Sequence, residues 1–508
     1  MKTGRKVLIA NRGEIAIRVM RACRELGLGT VAVYSDCDRT ALHVRLADEA
    51  HLLGPSPAAD SYLRIDRIID VALKSGATLI HPGYGFLAEN EDFAQACVDA
   101  GLTFVGPSPE AITRMGSKTA ARQAAIAAGV PVVPGTEEPF AADAPDSLIV
   151  AEAARIGYPL VVKAVAGGGG KGMRSVEGPA DLLAAIRTAR SEAGSAFGDP
   201  AVYLERKLLR ARHIEIQLLG DSHGTVIPFV ERECSIQRRH QKVVEESPSL
   251  ALIPETRRAM AECAAAVART VGYTNAGTIE FLLDEAGRFY FLEMNTRLQV
   301  EHPVTETVTG IDLVQWQLRI AMGERLTIDP VRALTPRAHA IECRIYAEDP
   351  DQGFMPSPGL VRAISVPGGP GVRDDRGVAP GFEIPLFYDS MIAKLIVWGD
   401  SRAEATARLS RVLDEYRVIG VRTTLPFFRW LVSQPEFIDG AFDTTYLDAL
   451  LASRKGRPFV EATAGDADDA AIIAAVATWF RAHQASAGGP VAKPSGAWQR
   501  AARTEALR

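Results

Sequence analysis

The sequence predicts an α/β (α+β) protein of about three domains, and three observations carry this. Residues 1–114 alternate short apolar runs with amphipathic stretches, the spacing of a mostly parallel, doubly wound sheet. Residues 115–330 hold a longer series of strand-like runs with helices between them. Residues 336–447 follow two punctuating prolines, Pro330 and Pro336, and are rich in turns such as Pro367-Gly368-Gly369-Pro370-Gly371. At 508 residues the chain is long enough for each region to bury a core.

In the first region Lys6–Ala10 reads as a strand, Ile15–Leu26 as a helix, Thr30–Tyr34 as a strand and Arg64–Ser75 as a helix. Thr78–His81 and Glu91–Ala100 repeat the pair. A nicotinamide fold shares this alternation, but its G-x-G-x-x-G is missing after the first strand, where only Gly13 is available. The second region opens with a helix over Ser117–Gly129 that Pro131 and Pro134 end. Strand-like runs follow at Pro159–Val165, Ala201–Glu205, Ile214–Leu219, Thr225–Val230, Gly277–Leu283 and Phe289–Met294. From 448 to 508 the chain changes character. Ala467–His483 reads as one Ala-rich helix, Ala485–Gly496 as a linker, and Ala497–Arg508 as a basic end, either a frayed tail or a docking segment for a partner.

Composition removes several classes. With 47% hydrophobic and 23% charged residues and a net charge of −5, nothing points to nucleic acid or a membrane surface. No run of about 20 apolar residues could span a bilayer. Asn11, Arg12, Gly13 and Glu14 interrupt any signal-peptide core, so the chain is read as cytoplasmic. Six dispersed cysteines without a C-x-x-C pair read as reduced thiols, not a metal site.

The chemistry concentrates in residues 288–306, Arg-Phe-Tyr-Phe-Leu-Glu-Met-Asn-Thr-Arg-Leu-Gln-Val-Glu-His-Pro-Val-Thr-Glu. If the backbone stays extended, Glu293, Asn295, Arg297, Gln299 and Glu301 share one face. A divalent metal, a nucleotide phosphate or a small oxyanion would satisfy such a set, and a solvated edge strand is the bland alternative. Gly277–Glu293 reads as a β-hairpin. With its turn centred between Glu285 and Ala286, Glu280 pairs with Phe291 and Glu293 becomes its diagonal neighbour, within reach of a shared Mg²⁺ or Mn²⁺. Upstream, Tyr158-Pro-Leu-Val-Val-Lys163-Ala-Val-Ala runs into Gly167-Gly168-Gly169-Gly170-Lys171, a strand entering a glycine turn that can wrap a polyphosphate. It is not a Walker A loop. Gln237-Arg238-Arg239-His240-Gln241-Lys242 is too short and too balanced by acids for nucleic acid, and reads as an anion clamp.

Together these segments resemble the ATP-grasp enzymes, and within them the biotin carboxylase family. The resemblance rests further on Ile9-Ala-Asn11-Arg12-Gly13-Glu14, His81-Pro-Gly-Tyr84-Gly-Phe-Leu-Ala-Glu89-Asn90, Met115-Gly-Ser-Lys118 and Glu342-Cys-Arg344-Ile-Tyr-Ala-Glu348-Asp349-Pro350, all in order over residues 5–450. It implies a Rossmann-like pre-ATP-grasp domain (1–114) and an ATP-grasp domain (115–330) with a mobile lid at about 133–206. A family-specific C-terminal domain (336–447) follows, and 448–508 lies outside that core. Lys118, Lys163, the loop glycines Gly168, Gly169 and Gly170, Glu205, Leu208, His213, Gln237 and His240 match nucleotide contacts, Glu205 and Leu208 through backbone groups. Glu280, Glu293 and Asn295 match the metal positions. Lys242, Arg297, Gln299 and Val300 match the bicarbonate pocket, Glu301 the general base, and Tyr84 and Arg344 groups near the biotin ureido ring. Lys171 stands where some relatives carry Arg.

The implied reaction uses ATP, Mg²⁺ or Mn²⁺, and bicarbonate to carboxylate biotin through carboxyphosphate. Biotinyl domains present a lysine in Ala-Met-Lys-Met, and the only Met-Lys here is Met1-Lys2. Biotin is therefore expected on a separate carrier protein, with a carboxyltransferase subunit beside it, and relatives imply a homodimer. Tyr346 and the tail look like those of acyl-CoA or pyruvate carboxylase subunits. A carbamoyl-phosphate synthetase half would leave Tyr84, Glu301 and Arg344 unexplained. A silent ATP-binding regulatory subunit would be expected to lack Lys242, Glu301 or Arg344.

Overall fold

The computed structural model describes residues 4–141, 143–165, 173–460, 472–479 and 481. Five parallel strands form the N-terminal sheet, in the spatial order Glu49–Gly54, Gly29–Ser35, Lys6–Ile9, Leu79–His81, Thr103–Phe104. Sequence order reverses between Lys6–Ile9 and Leu79–His81, so their carboxyl ends open a crevice at the switch point. Asn11 closes one side of it, its amide donating to the carbonyls of Pro82 (2.7 Å) and Tyr84 (2.8 Å). The helix Gly13–Glu25 starts there and buries Ile15, Ala16, Val19 and Met20 against the sheet. The predicted strands and helices of this region are present. Two further strands escaped the reading: Glu49–Gly54, an edge strand that carries Glu49 and His51, and Thr103–Phe104, only two residues long.

A smaller sheet, Met173–Val176, Leu160–Ala164 and Val202–Arg206, carries the helices Asp146–Ile156 and Pro179–Phe197. It has its own apolar core, with Leu160, Val162, Val176, Leu182, Ile186 and Val202 at its centre.

The largest sheet is antiparallel throughout and runs Phe289–Asn295, Asn275–Leu283, Arg212–Gly220, Arg232–Arg238, Gln241–Ser247, His339–Tyr346, Met391–Gly399, Val372–Arg376, with Val226–Pro228 paired to Arg212–Gly220. Its strands come from both the second and the third predicted regions. The junction is the antiparallel pairing of Gln241–Ser247 with His339–Tyr346, for example Val244 with Cys343 and Ser247 with Ala340. Arg232–Arg238 turns into Gln241–Ser247 through Arg239 (φ 50°) and His240 (φ 66°), a two-residue turn in which both residues are left-handed, as the strand twist favours.

The described residues up to Arg457 form one compact unit, and the described residues beyond it belong to a second. Of the predicted tail helix, residues 472–479 are described and helical. The linker and the basic end lie outside the described residues, as do Gly168, Gly169, Gly170 and Lys171. No helix among the described residues is long and apolar enough to cross a membrane, and all six cysteines are free.

Candidate active site

One face of the large sheet carries a row of ionisable side chains. In register across four adjacent strands stand Glu293, Glu280, Glu215 and Arg232. Their strands otherwise bury apolar groups on the opposite face, as Ile214, Ile216 and Leu218 do between His213, Glu215 and Gln217. Period two therefore sorts core from site. The hairpin register differs from the one predicted. Glu280 stands directly opposite Glu293, not Phe291, because a bulge puts Leu292 between the Glu280–Glu293 and Phe281–Phe291 pairs. The two carboxylates are thus direct cross-strand neighbours.

The predicted alternation through residue 301 also needs correction. The strand ends at Asn295, and residues 296–301 form a loop leading into the helix His302–Thr309. Arg297, Gln299 and Glu301 still reach the same site, held there by tertiary bonds. Arg297 donates to Gln299 Oε1 (2.8 Å), to Asn295 Oδ1 (3.2 Å) and, from Nε, to Glu89 Oε2 (2.8 Å). Glu89 also accepts from the Thr296 amide at 2.9 Å. Asn295 donates to Glu280 Oε1 at 2.9 Å.

Lys242 is the hub. Its ammonium lies 2.5 Å from Glu215, 2.8 Å from Glu280 and 2.7 Å from Glu301. Arg344 takes the other oxygen of Glu301 at 3.0 Å and pairs with Glu245 at 2.5 Å. Arg232, fully buried, bonds Glu215, Gln217, Thr278 and Thr305. Burial opposes the charge of Glu301, but Lys242, Arg344 and Arg232 outweigh it and hold the carboxyl well below the usual range. Glu280 is likewise held low, by Lys242 and His213 against burial. Glu293 goes the other way: burial and the neighbouring charge of Glu280 both push its carboxyl up, with Lys118 opposing.

The nucleotide-type residues gather beside this row. His213 Nε2 sits 3.1 Å from Glu280, and its Nδ1 is 3.1 Å from the amide of Gln237. Lys163 pairs with Glu205, which also lies 3.5 Å from Arg122. Lys118, on the first turn of the helix Lys118–Ala127, lines a small cavity with Arg122, Thr136, Tyr203, Glu205 and Leu292. Leu208 is half-buried in the loop after Val202–Arg206. His240 is not drawn into the cluster, since it occupies the exposed hairpin turn. Tyr84 hydrogen-bonds Glu14, whose carboxylate lies 3.1 Å from Lys394. Sequence reasoning passed over Glu215, Arg232, Glu245 and Lys394. Glu215 was legible as a charge alternating with apolar residues in a strand, whereas Arg232 and Glu245 stand beside other charged residues and Lys394 interrupts an otherwise apolar run.

Which cations and anions this face serves is narrowed by comparison with known proteins. Three family models cover the described site in order: biotin carboxylase N-terminal domain over residues 3–112, the ATP-binding domain named for the carbamoyl-phosphate synthase L chain over 117–329, and biotin carboxylase C-terminal domain over 342–449. Biotin carboxylase of Nostoc sp. is 51% identical over 445 residues, covering 88% of this chain and 99% of the relative. The chain belongs to the biotin carboxylase family. Biotin carboxylase 1 of Bacillus subtilis is 50% identical over 445 residues, covering 87% of this chain and 98% of the relative. Among solved structures, the biotin carboxylase domain dimer of Hydrogenobacter thermophilus 2-oxoglutarate carboxylase, in complex with MgADP, ADP and bicarbonate, superposes with a TM-score of 0.84 at 47% identity. It covers 90% of this chain and 99% of that one. The model that matches the central domain is named for carbamoyl-phosphate synthase, and the two that flank it are named for biotin carboxylase.

Proposed function

We infer that this chain is a biotin carboxylase, which uses ATP and bicarbonate to carboxylate biotin. The observation that carries the reading is the site where Lys242, Arg344 and Glu301 meet within hydrogen-bond distance at the edge of a carboxylate pair. Glu280 and Glu293, with Asn295 next in line, fit a divalent ion. Two adjacent carboxylates, one of them destabilised by its neighbour, are a standing demand for a shared cation. Mg²⁺ there would offset the charge on the transferring phosphoryl group. The close groupings His213–Glu215–Glu280 and Glu215–Cys234–Glu301 share Glu215, which Lys242 and Arg232 already hold, so we place the ion on the Glu293 side of Glu280.

In this reading Lys118, Lys163, His213, Gln237 and the glycines Gly168, Gly169 and Gly170 bind the nucleotide, with His240 reaching in from the exposed hairpin turn and Glu205 and Leu208 contributing backbone groups. Lys242, Arg297, Gln299 and the Val300 backbone bind bicarbonate. Glu301 removes its proton, and the oxygen so freed attacks the γ-phosphorus with departure of ADP. Carboxyphosphate collapses to CO₂ and phosphate, phosphate takes the N1 proton of biotin, and the nitrogen attacks CO₂. Arg344 stabilises the ureido enolate, with Tyr84 alongside. A carboxylate held low by three cations is a weak base. An anion that engages Lys242 withdraws part of that stabilisation, so bicarbonate binding itself raises the basicity of Glu301.

We place the biotin on a separate carrier protein, with a carboxyltransferase partner, and the chain in a cytoplasmic homodimer. The dimer of the Hydrogenobacter domain and the six free thiols support this. The test is ADP release from Mg²⁺-ATP with bicarbonate and free biotin added separately and together. Release that needs bicarbonate and rises with biotin, with carboxybiotin formed, is expected. Turnover indifferent to biotin, or wakened by ammonia, would reassign the ligase.

A further inference from the structure

Lys394 lies in the strand Met391–Gly399, in the run Met-Ile-Ala-Lys-Leu-Ile-Val-Trp, and its side chain is fully buried. Buried ammonium groups persist only where partners hold them, and an apolar residue would pack such a position at lower cost. Its partners come from two distant segments. The ammonium donates to the Val300 carbonyl at 2.8 Å and pairs with Glu14 at 3.1 Å. Glu14 sits in the first turn of the N-terminal helix and accepts from the Tyr84 hydroxyl. The Tyr84 ring lies 5.8 Å from the same ammonium. Across the sheet, Lys394 is the register partner of Arg344.

The Val300 carbonyl belongs to the peptide unit that ends in the Glu301 amide. That unit is planar, so fixing its oxygen fixes the direction of the Glu301 N–H and the place of the Glu301 Cα, from which the side chain departs. Residues 296–301 have no strand partner, so bonds of this kind decide where the loop rests. We propose that Lys394 is a positioning residue for carboxylation: it clamps the Val300–Glu301 peptide and ties it to Glu14 and Tyr84, so that the bicarbonate loop and the biotin side of the crevice keep one fixed spacing. The proposal rests on the functional reading above.

Removing one partner of a buried ion pair can unfold a protein, so the test uses Lys394→Arg and the double variant Glu14→Gln/Lys394→Met, which leaves no lone buried charge. Two readouts are taken with thermal unfolding as a control: KM for bicarbonate and for ATP, and hydrogen exchange of the 296–301 amides. The folded double variant should show a bicarbonate KM raised roughly tenfold, an ATP KM within about twofold, and exchange over 296–301 faster by about tenfold, with exchange across the Asn275–Asn295 hairpin unchanged. Lys394→Arg should recover part of the bicarbonate KM. A folded double variant with unchanged 296–301 exchange, or with kcat lowered and both KM values unchanged, would overturn the proposal. A wild-type chain without bicarbonate- and biotin-dependent turnover would fault the functional reading instead, and the exchange measurement would still decide on Lys394.

Discussion

Glu245 and Glu342 stand opposite each other as register partners on adjacent strands, and Arg344 bonds only the first. Both oxygens of Glu342 are buried without a hydrogen-bond partner. Burial pushes Glu342 well above the carboxylate range, against the pull of Lys394, and pushes Glu245 up to about 7, against the pull of Arg344. The site therefore keeps a neutral acid beside the groups read as base and enolate stabiliser.

A raised carboxyl pKa in the folded state means that folding favours the protonated form. Its contribution is complete below the unfolded value near 4.5 and is lost as pH rises through about 7. The stability difference between wild type and Glu245→Gln should therefore shift against wild type between pH 5 and 8, by up to about 3 kcal/mol. Urea unfolding of both proteins across that range checks the sign.

Glu301→Gln keeps the size of the side chain and removes its ability to take a proton. It should lower kcat for biotin-dependent carboxylation by roughly 100-fold or more and leave the ATP KM within a few-fold. Steady-state kinetics with each substrate varied in turn measures both, and normal turnover would remove Glu301 from the role of base.

Glu293→Gln should separate stability from function. Relieving the repulsion with Glu280 should leave the metal-free protein as stable as wild type, or more stable by about 1 kcal/mol. The same change should abolish most of the thermal stabilisation that Mg²⁺-ADP gives and raise the Mg²⁺ needed for turnover. Thermal unfolding with and without Mg²⁺-ADP reports both halves.

Glu89 reaches from the N-terminal region to Arg297 and to the Thr296 amide. Glu89→Gln keeps an acceptor but weakens the charge-assisted bond to the guanidinium. The expected outcome is a bicarbonate KM raised about tenfold with a smaller change in kcat, read from initial rates at saturating ATP.

How much of this was legible in the sequence depends on distance along the chain. Local periodicity revealed the Lys6–Ile9 to Leu79–His81 alternation, the Lys118–Ala127 helix and the strands of the Glu280–Glu293 hairpin. The bulge at Leu292 was not legible, because a register slip is set by packing against the neighbouring strand. Nor was the loop over 296–301. Its alternating polar residues imitate a strand, while their convergence comes from Glu89, Glu280 and Lys394, each brought in by tertiary structure. Lys242 and Arg344 were found through motif resemblance. Their shared hold on Glu301 became visible only when strands about 100 residues apart were laid side by side. His240 was grouped with the clamp by sequence proximity, yet the left-handed turn places it in solvent.

The pairing of Gln241–Ser247 with His339–Tyr346 has a consequence for how the molecule can be divided. A cut in the linker near Pro330 looks harmless in sequence, since it falls between two family models. It would nevertheless strip one long strand from its neighbour on each side and leave two raw edges of unpaired backbone N–H and C=O groups, open to any passing chain. The central and C-terminal modules are therefore not separable parts on a string. Each is the other's missing border, and a gene shuffled at that point would yield fragments that clump unless they were made together.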